Sequence, residues 1–251
     1  MRILAITQAR TGSSRLPGKV LKTIAGKTLL QIHLDRLSRS RLIEKIVVAT
    51  TVEPADTAIA ELVSGLGCEY FRGSEMDVLD RYYQAARVYE PEYIVRVTSD
   101  CPLIDPAVVD DVITALIASG SDYASNCFDR TFPDGMDAEA FRFSALERAW
   151  QEASIQRQRE HVTPYIVENS DQRGGNLFHA ASVRYGEDFS GFRLTIDYPE
   201  DFALLQVLVG RLGPDLGWRS YADFLAQNPD VFGINQRFGT TTQTHNPPGN
   251  E

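Results

Sequence analysis

Short apolar runs alternate with stretches of helical periodicity over the first 120 residues. Ile3 to Ile6 is an unbroken apolar run, the pattern of a buried strand, and Ile46 to Ala49 is a second with no charge in it. Glu69 to Arg72, ending at Gly73, and Tyr93 to Val97, ending at Thr98-Ser99-Asp100, supply two more. Between them the period changes. After a turn at Ala25-Gly26-Lys27, a helix starts near Thr28, with Leu29, Leu30, Ile32, Leu34 and Leu37 as its apolar stripe. Pro54 opens a helix running to Gly65 or Gly67, and Met76 to Tyr89 forms another with Asp77 as a cap. Pro106 to Leu116 follows, with Asp105 in the N-cap position. Strand and helix in alternation predict an α/β fold: a mostly parallel twisted sheet with helices on both faces. Ligands of such sheets lie outside the carboxyl ends of the strands.

The alternation weakens after residue 120. Tyr123 to Cys127 and Ala138 to Phe141 read as strands, separated by a loop containing Phe132-Pro133-Asp134-Gly135. Ser144 to Ser154 is expected to be a helix, Gln156 to Arg159 a solvated helix face or linker, and His161 to Val167 helical until Gly174-Gly175. Strands are expected near Leu177 to Val183 and at Arg193 to Ile196. Pro199 starts a helix through Val209, and a last helix covers about Tyr221 to Ala226. From Gly239 the chain is rich in Thr, Asn, Pro, Gly and Gln, which predicts a disordered tail over 239–251. The single domain is thus expected over 1–238: a nucleotide-binding half (1–122), an inserted segment (123–185) and a closing segment (186–238).

Net charge narrows the partners. At −9, with a pI near 5.0, the chain lacks the basic stripe of a nucleic-acid binder and is a poor match for an anionic membrane surface. Cys68, Cys101 and Cys127 are far apart and form no CxxC pair, so reduced thiols and a cytoplasmic location are expected. No signal peptide and no membrane-length apolar run is visible.

Against that acidic background the stretch Gln8 to Lys19 stands out. It carries Arg10, Arg15 and Lys19, with Thr11, Gly12, Ser13, Ser14 and Gly18, and no acidic residue. A loop of small residues and cations leaving a buried strand suits the oxygens of a polyphosphate. Asp100 and Asp197 each follow an apolar run, and two such carboxylates can converge on one divalent cation. Magnesium takes few protein carboxylates and completes its shell with water and phosphate.

The stretch from Gln8 to Lys19 with Ile24-Ala25-Gly26-Lys27 resembles the signature of the cytidylyltransferases that activate acid sugars, the acylneuraminate and 3-deoxy-manno-octulosonate enzymes. Phe71-Arg72-Gly73-Ser74, Asp77 to Tyr82, Thr98 to Ile104, Asp134 to Asp137, Arg159 to Thr163 and Leu194 to Asp201 are similar to the spore-coat polysaccharide proteins of the SpsF type. The resemblance covers residues 1 to about 235. It implies a Rossmann-like nucleotidyltransferase fold with a small inserted lobe, through which such enzymes commonly dimerise. Arg10 and Lys19 would bind the triphosphate of CTP, helped by Thr11, Ser13, Ser14 and Arg15. Asp100 and Asp197 would hold Mg2+, and Arg72 and Gly73 would lie at the base. The implied reaction passes CMP from CTP to the hydroxyl of a small sugar acceptor, with pyrophosphate as the leaving group.

Sugar hydroxyls pair with carboxylates and imidazoles, which makes Asp137, Glu139, Glu160 and His161 the candidate acceptor contacts. Cys101 is read as packing, because the neighbouring Asp100 disfavours its thiolate. Arg96, a cation inside an apolar strand, requires an ion pair or a ligand. Alternatives are another base, a sugar-phosphate acceptor, or a catalytically silent nucleotide-binding subunit.

Overall fold

Seven strands form one sheet in the order β5-β4-β1-β6-β8-β7-β9 in the computed structural model, which describes residues 2–239. The elements are β1 (Ile3–Gln8), β2 (Thr23–Ile24), β3 (Lys27–Thr28), α1 (Leu29–Leu37), β4 (Lys45–Thr51), α2 (Thr57–Gly65), β5 (Glu69–Gly73), α3 (Val78–Tyr89) and β6 (Tyr93–Thr98). There follow α4 (Pro106–Ser119), β7 (Tyr123–Ser125), β8 (Glu139–Arg142), α5 (Phe143–Glu152), α6 (Gln156–His161), α7 (Pro164–Glu168), β9 (Ala180–Ser182), α8 (Pro199–Leu212), α9 (Trp218–Gln227) and α10 (Pro229–Phe232). β1 pairs in parallel with β4 on one side and β6 on the other, and β4 pairs in parallel with β5. β8 runs antiparallel to both β6 and β7, and β9 is parallel to β7. Residues 123–185 thus extend the same sheet rather than starting another.

Alternate residues of β1 feed opposite layers. Leu4 and Ile6 join Val47, Ala49 and the buried face of α3, whereas Ile3 and Ala5 join the core beneath α4. That two-sided burial is why the middles of β1 and β4 are unbroken apolar runs, Ile3 to Ile6 and Ile46 to Ala49. Val48 faces the other way, toward Leu30, Leu34, Ile59 and Val63 of α1 and α2. A separate core joins α8 and α9 to the 132–136 and 194–196 segments.

Local chemistry fixes the boundaries. Ala25 and Gly26 both have positive φ, 51° and 79°, as a two-residue hairpin turn between β2 and β3 requires. Thr28, Asp77 and Asp105 accept backbone N–H bonds from Gln31, Asp80 and Ala107 at the starts of α1, α3 and α4. Asp105 also accepts the Trp218 N–H at 2.8 Å, which ties α9 to α4.

Three expectations are corrected. Arg193 to Ile196 is not a strand of the sheet: it is an extended segment with a single bridge, between Asp134 and Arg193. Its backbone bonds go to loops, Leu194 N to Asp134 O at 2.7 Å and Ile196 N to Asp100 O at 2.8 Å. Of the two readings of Gln156 to Arg159, the helix holds, since the stretch opens α6, but its face is only partly solvated. Gln158 is buried against Glu168, and Arg159 forks onto Asp77 at 2.6 to 3.1 Å. The helix expected from His161 to Val167 is broken at Val162, whose φ of 73° separates α6 from α7. The tail expected over 239–251 lies, beyond Gly239, outside the described residues.

Candidate active site

Three segments meet where β1 and β6 end side by side. Their ends are stitched together by Ser99 Oγ, which donates to Gln8 O at 2.7 Å. In the strand order 5-4-1-6, the connection out of β1 leads to one side and the chain later returns on the other, so a crevice opens between β1 and β6.

The first segment is the loop after β1. Thr11 anchors it: its N–H and its hydroxyl both donate to Asp56 Oδ1 at 2.7 Å, while Thr51 Oγ1 donates to the other oxygen. Burial would raise the Asp56 pKa, but these donors hold it below the ordinary value. Thr11 O in turn accepts Ser13 N at 2.8 Å and Gly18 N at 3.0 Å, curling the loop so that Lys19 points inward. Gly18 has φ 64°, a left-handed conformation suited to glycine.

Lys19 Nζ lies 3.0 Å from Asp100 Oδ2, 3.1 Å from Asp197 Oδ1 and 2.7 Å from Ile196 O. The ammonium is nearly enclosed, with 12% side-chain exposure. Burial alone would lower its pKa, yet Asp100 and Asp197 hold it above the usual value. Asp100 shows the converse: burial pushes its pKa up, and Lys19 with the Thr98 hydroxyl brings it below the usual range. Arg15 reaches the same carboxylate, NH2 to Asp197 Oδ1 at 2.9 Å, and lies over the Tyr198 ring at 5.0 Å.

Behind Asp197 stands Arg193, a residue that the sequence pattern did not single out. Its guanidinium donates to Asp134 Oδ2 at 2.9 Å, Asp197 Oδ2 at 3.0 Å, and both oxygens of Asp201 at 2.9 and 3.0 Å. Asp201 is fully buried and accepts the N–H groups of Asp197 at 2.8 Å and Tyr198 at 2.9 Å, with Asn235 Nδ2 at 2.8 Å. Asp197 is thereby held from both ends, by Arg193 behind and by Lys19 and Arg15 in front. Gly135 permits the arrangement: a Cβ there would lie 2.7 Å from the Leu194 carbonyl carbon, and its φ is 106°.

The remaining candidates fall in two places. Arg10 is exposed beside Glu75 at 3.3 Å, Ser14 is exposed, and Ser13 Oγ accepts Leu16 N within the loop. Arg72 donates to Thr51 O and Glu53 O, both at 2.8 Å, so it latches β5 to the end of β4, with Gly73 following it. On the other side of β6, Asp137 forms a two-point ion pair with Arg130 at 2.7 and 3.0 Å. Glu139 is buried, paired with Arg96, and accepts Tyr123 Oη at 2.5 Å and Thr163 Oγ1 at 2.6 Å. Arg96 is therefore an ion-pair residue, and burial, which would lower its pKa, is outweighed by Glu139. Glu160 and His161 lie exposed at the end of α6. Cys101 is buried, and burial with Asp100 pushes its thiol pKa well up, so it serves as packing.

Besides Arg193, the anchors Asp56 and Arg130 went unread. The signal for Asp201 was present: an acid three residues after Tyr198 and two after Pro199 is the N3 position of a helix start. For Arg193 no local pattern existed, since its partners come from three separated parts of the chain.

The two carboxylates fit a hard divalent cation. Asp100 and Asp197 each present one oxygen to a single positive centre, the Lys19 ammonium. No cluster of three or more His, Cys, Asp and Glu with ligand geometry occurs among the described residues. Two carboxylates with further oxygens from a bound phosphate is a donor set suited to magnesium. No helix among the described residues is long and apolar enough to cross a membrane.

Comparison with known proteins gives this geometry its family. The chain is 42% identical over 240 residues to an uncharacterized protein of Methanocaldococcus jannaschii, covering 94% of this chain and 95% of that one. It is 33% identical over 246 residues to the spore coat polysaccharide biosynthesis protein SpsF of Bacillus subtilis, covering 91% and 96%. The solved structure of a cytidylyltransferase from Leptospira borgpetersenii superposes with a TM-score of 0.86 at 35% identity, covering 92% of this chain and 97% of that one. The family model for cytidylyltransferases matches residues 4–232, and the chain belongs to the cytidylyltransferase family of nucleotidyltransferase enzymes.

Proposed function

We propose that the chain transfers CMP from CTP to the hydroxyl of a small sugar, releasing pyrophosphate, with Mg2+ held by Asp100 and Asp197. The observation that carries this reading is the single ammonium shared by Asp100 and Asp197, at 3.0 and 3.1 Å, beside a loop rich in donors. Arg15 and Lys19 exchange their carboxylate partners for phosphate oxygens when the triphosphate enters, and Arg10, at the exposed mouth of the loop, adds a third cation. Thr11 and Ser13 keep the loop in the curled form that presents these groups, and Ser14, exposed on the loop, donates to the phosphates. Arg72 and Gly73 border the base.

The acceptor oxygen forms a bond to the α-phosphorus and gives up its proton as the bond to the bridging oxygen of the β-phosphate breaks. Such transfers depend on positioning and charge neutralisation, which is what this inventory supplies. When bound, the metal withdraws charge from the phosphate oxygens that repel the incoming hydroxyl. Asp137 and Glu139, with Glu160 and His161 nearby, form the acceptor side. A role in polysaccharide or surface-glycan synthesis, in the cytoplasm and as a homodimer through 123–185, completes the proposal. The B. subtilis relative, described as acting in spore coat polysaccharide biosynthesis, supports the role.

The test is a thermal-shift and calorimetric comparison of the four ribonucleoside triphosphates with magnesium, on wild type and Asp100→Ala. A ligand at one hundred times its Kd raises stability by about 2.7 kcal/mol. CTP alone is expected to shift the wild type and to lose that shift in the variant. Preference for another triphosphate overturns the choice of base, and failure of all four to bind overturns the reading.

A further inference from the structure

Arg15 is held less firmly than Lys19. Its side chain is 47% exposed, against 12% for Lys19, and its carboxylate partner Asp197 is the group that the proposed reaction gives to the metal. A long, exposed side chain that loses its partner regains rotamer freedom, and directing it at a phosphate then costs entropy unless another group fixes it. Tyr198 is that other group. Arg15 Nη1 donates to Tyr198 Oη at 3.3 Å, and the guanidinium carbon lies 5.0 Å from the ring centroid, within cation–π range.

Tyr198 is itself only half-buried, and the segment after α10 holds it. Phe238 stacks on its ring, with centroids 3.9 Å apart and planes within 5° of parallel. Two attachments fix Phe238 there. Asn235, 2% exposed, donates from Nδ2 to Arg193 O at 3.2 Å and Asp201 Oδ1 at 2.8 Å, which pins the segment to the network behind Asp197. Phe238 N closes a turn onto Asn235 O at 3.1 Å, while Arg237 pairs with Glu200 of α8 and lies over the Phe238 ring at 4.7 Å. Val231, Phe232 and Ile234, just before it, pack on the core beneath α8 and α9. Phe238 does not join that core, and its ring goes to Tyr198 instead.

We propose that Phe238 is a positioning residue for the phosphate site: stacked on Tyr198, it holds the tyrosine where hydroxyl and ring keep Arg15 directed at the triphosphate after Asp197 turns to the metal. The inference rests on the reading of this centre as a nucleotidyl-transfer site. It makes residues 235–238 part of that centre, although they act on it only through Tyr198, Arg193 and Asp201.

The test uses the full chain carrying Phe238→Leu, which keeps apolar bulk without the ring, and Phe238→Tyr, which keeps the ring. Calorimetry with CTP and magnesium is expected to show binding weakened about tenfold in the first and within about twofold of wild type in the second. In an Arg15→Met background, Phe238→Leu is expected to add less than about twofold, because the residue it acts through is already gone. A nucleotide-free arm reads the same coupling. The Arg15 Nε–H signal in NMR, identified by its absence from Arg15→Met, is expected to move in Phe238→Leu and to stay in place in Phe238→Tyr. Thermal melts establish that each variant is folded. Equal CTP affinity in Phe238→Leu and wild type, a loss that persists in full in the Arg15→Met background, or an unmoved Arg15 signal overturns the proposal. A wild type that binds no triphosphate overturns nucleotidyl transfer instead, and the Arg15 signal then decides by itself whether Phe238 sets that side chain.

Discussion

Replacing Arg193 by alanine removes one buried cation from among three carboxylates. Arg193 is 4% exposed, and Asp134, Asp197 and Asp201 have side-chain exposures of 6, 9 and 0%. Removing one partner of a buried ion pair costs about 3–5 kcal/mol, because the remaining charge is left uncompensated. In a chain of this size about 1 kcal/mol moves Tm by 2–4 °C, so a fall of roughly 6–20 °C is expected. The pH dependence separates charge from packing. Burial would raise the pKa of Asp201, but Arg193 and the N–H donors hold it below the usual value. Its stabilising contribution is therefore complete above the ordinary carboxylate range, near about 4, and fades as the pH falls through the depressed folded value. In Arg193→Ala the depression is largely relieved, so acid costs the variant less than the wild type. Calorimetric Tm values at about pH 7 and about pH 3 should show the gap narrowing in acid. A gap below about 2 °C at neutral pH would refute the argument. So would a gap of the same size at both values, which would make Arg193 a packing residue.

Lys19→Met is expected to lower pyrophosphate formation by about 10²–10³-fold with little change in Tm, since Arg15 and Arg193 still hold Asp197; a stopped assay and a thermal melt check both halves. Asp56→Ala frees both Thr11 donors and should weaken CTP binding by about 1.5–3 kcal/mol in calorimetry, while Arg10, Arg15 and Lys19 of the loop remain. Gly135→Ala forces a Cβ to 2.7 Å from Leu194 at φ 106°, and should destabilise the fold by more than about 2 kcal/mol in denaturant titration. Glu139→Gln leaves the buried Arg96 charge short of its partner and should cost about 3–5 kcal/mol in denaturant titration, part of it recovered in the double variant Arg96→Met, Glu139→Gln, which keeps an acceptor for Tyr123 and Thr163.

The sheet was legible in the sequence wherever burial on both faces excluded polar residues. β1, β4 and β6 were found within a residue or two of their ends for that reason, and α1, α3 and α4 because Thr28, Asp77 and Asp105 cap them. Legibility failed where structure depends on distant partners. The 193–196 segment carries strand-like residues, but its backbone bonds go to the loops after β6 and before β8, which no local pattern encodes. Gln156 to Arg159 looked solvated because its polar side chains find their partners elsewhere, in Glu168 and Asp77. The candidate centre divides in the same way. Lys19, Asp100 and Asp197 follow from their positions beside apolar runs, whereas Arg193 and Asp56 act by supporting those residues and show only in three dimensions.

The spacing of Asp100 and Asp197 is set partly by main chain. Ile196 N bonds Asp100 O, so the two acidic segments are joined by peptide groups that every residue carries, and the Lys19 side chain ties them a second time through Ile196 O and both carboxylates. Side chains elsewhere in the crevice can be exchanged without breaking the main-chain link. Under the proposed reading, that divides the crevice into a part whose geometry is fixed by the backbone and a part whose side chains are open to change with the acceptor.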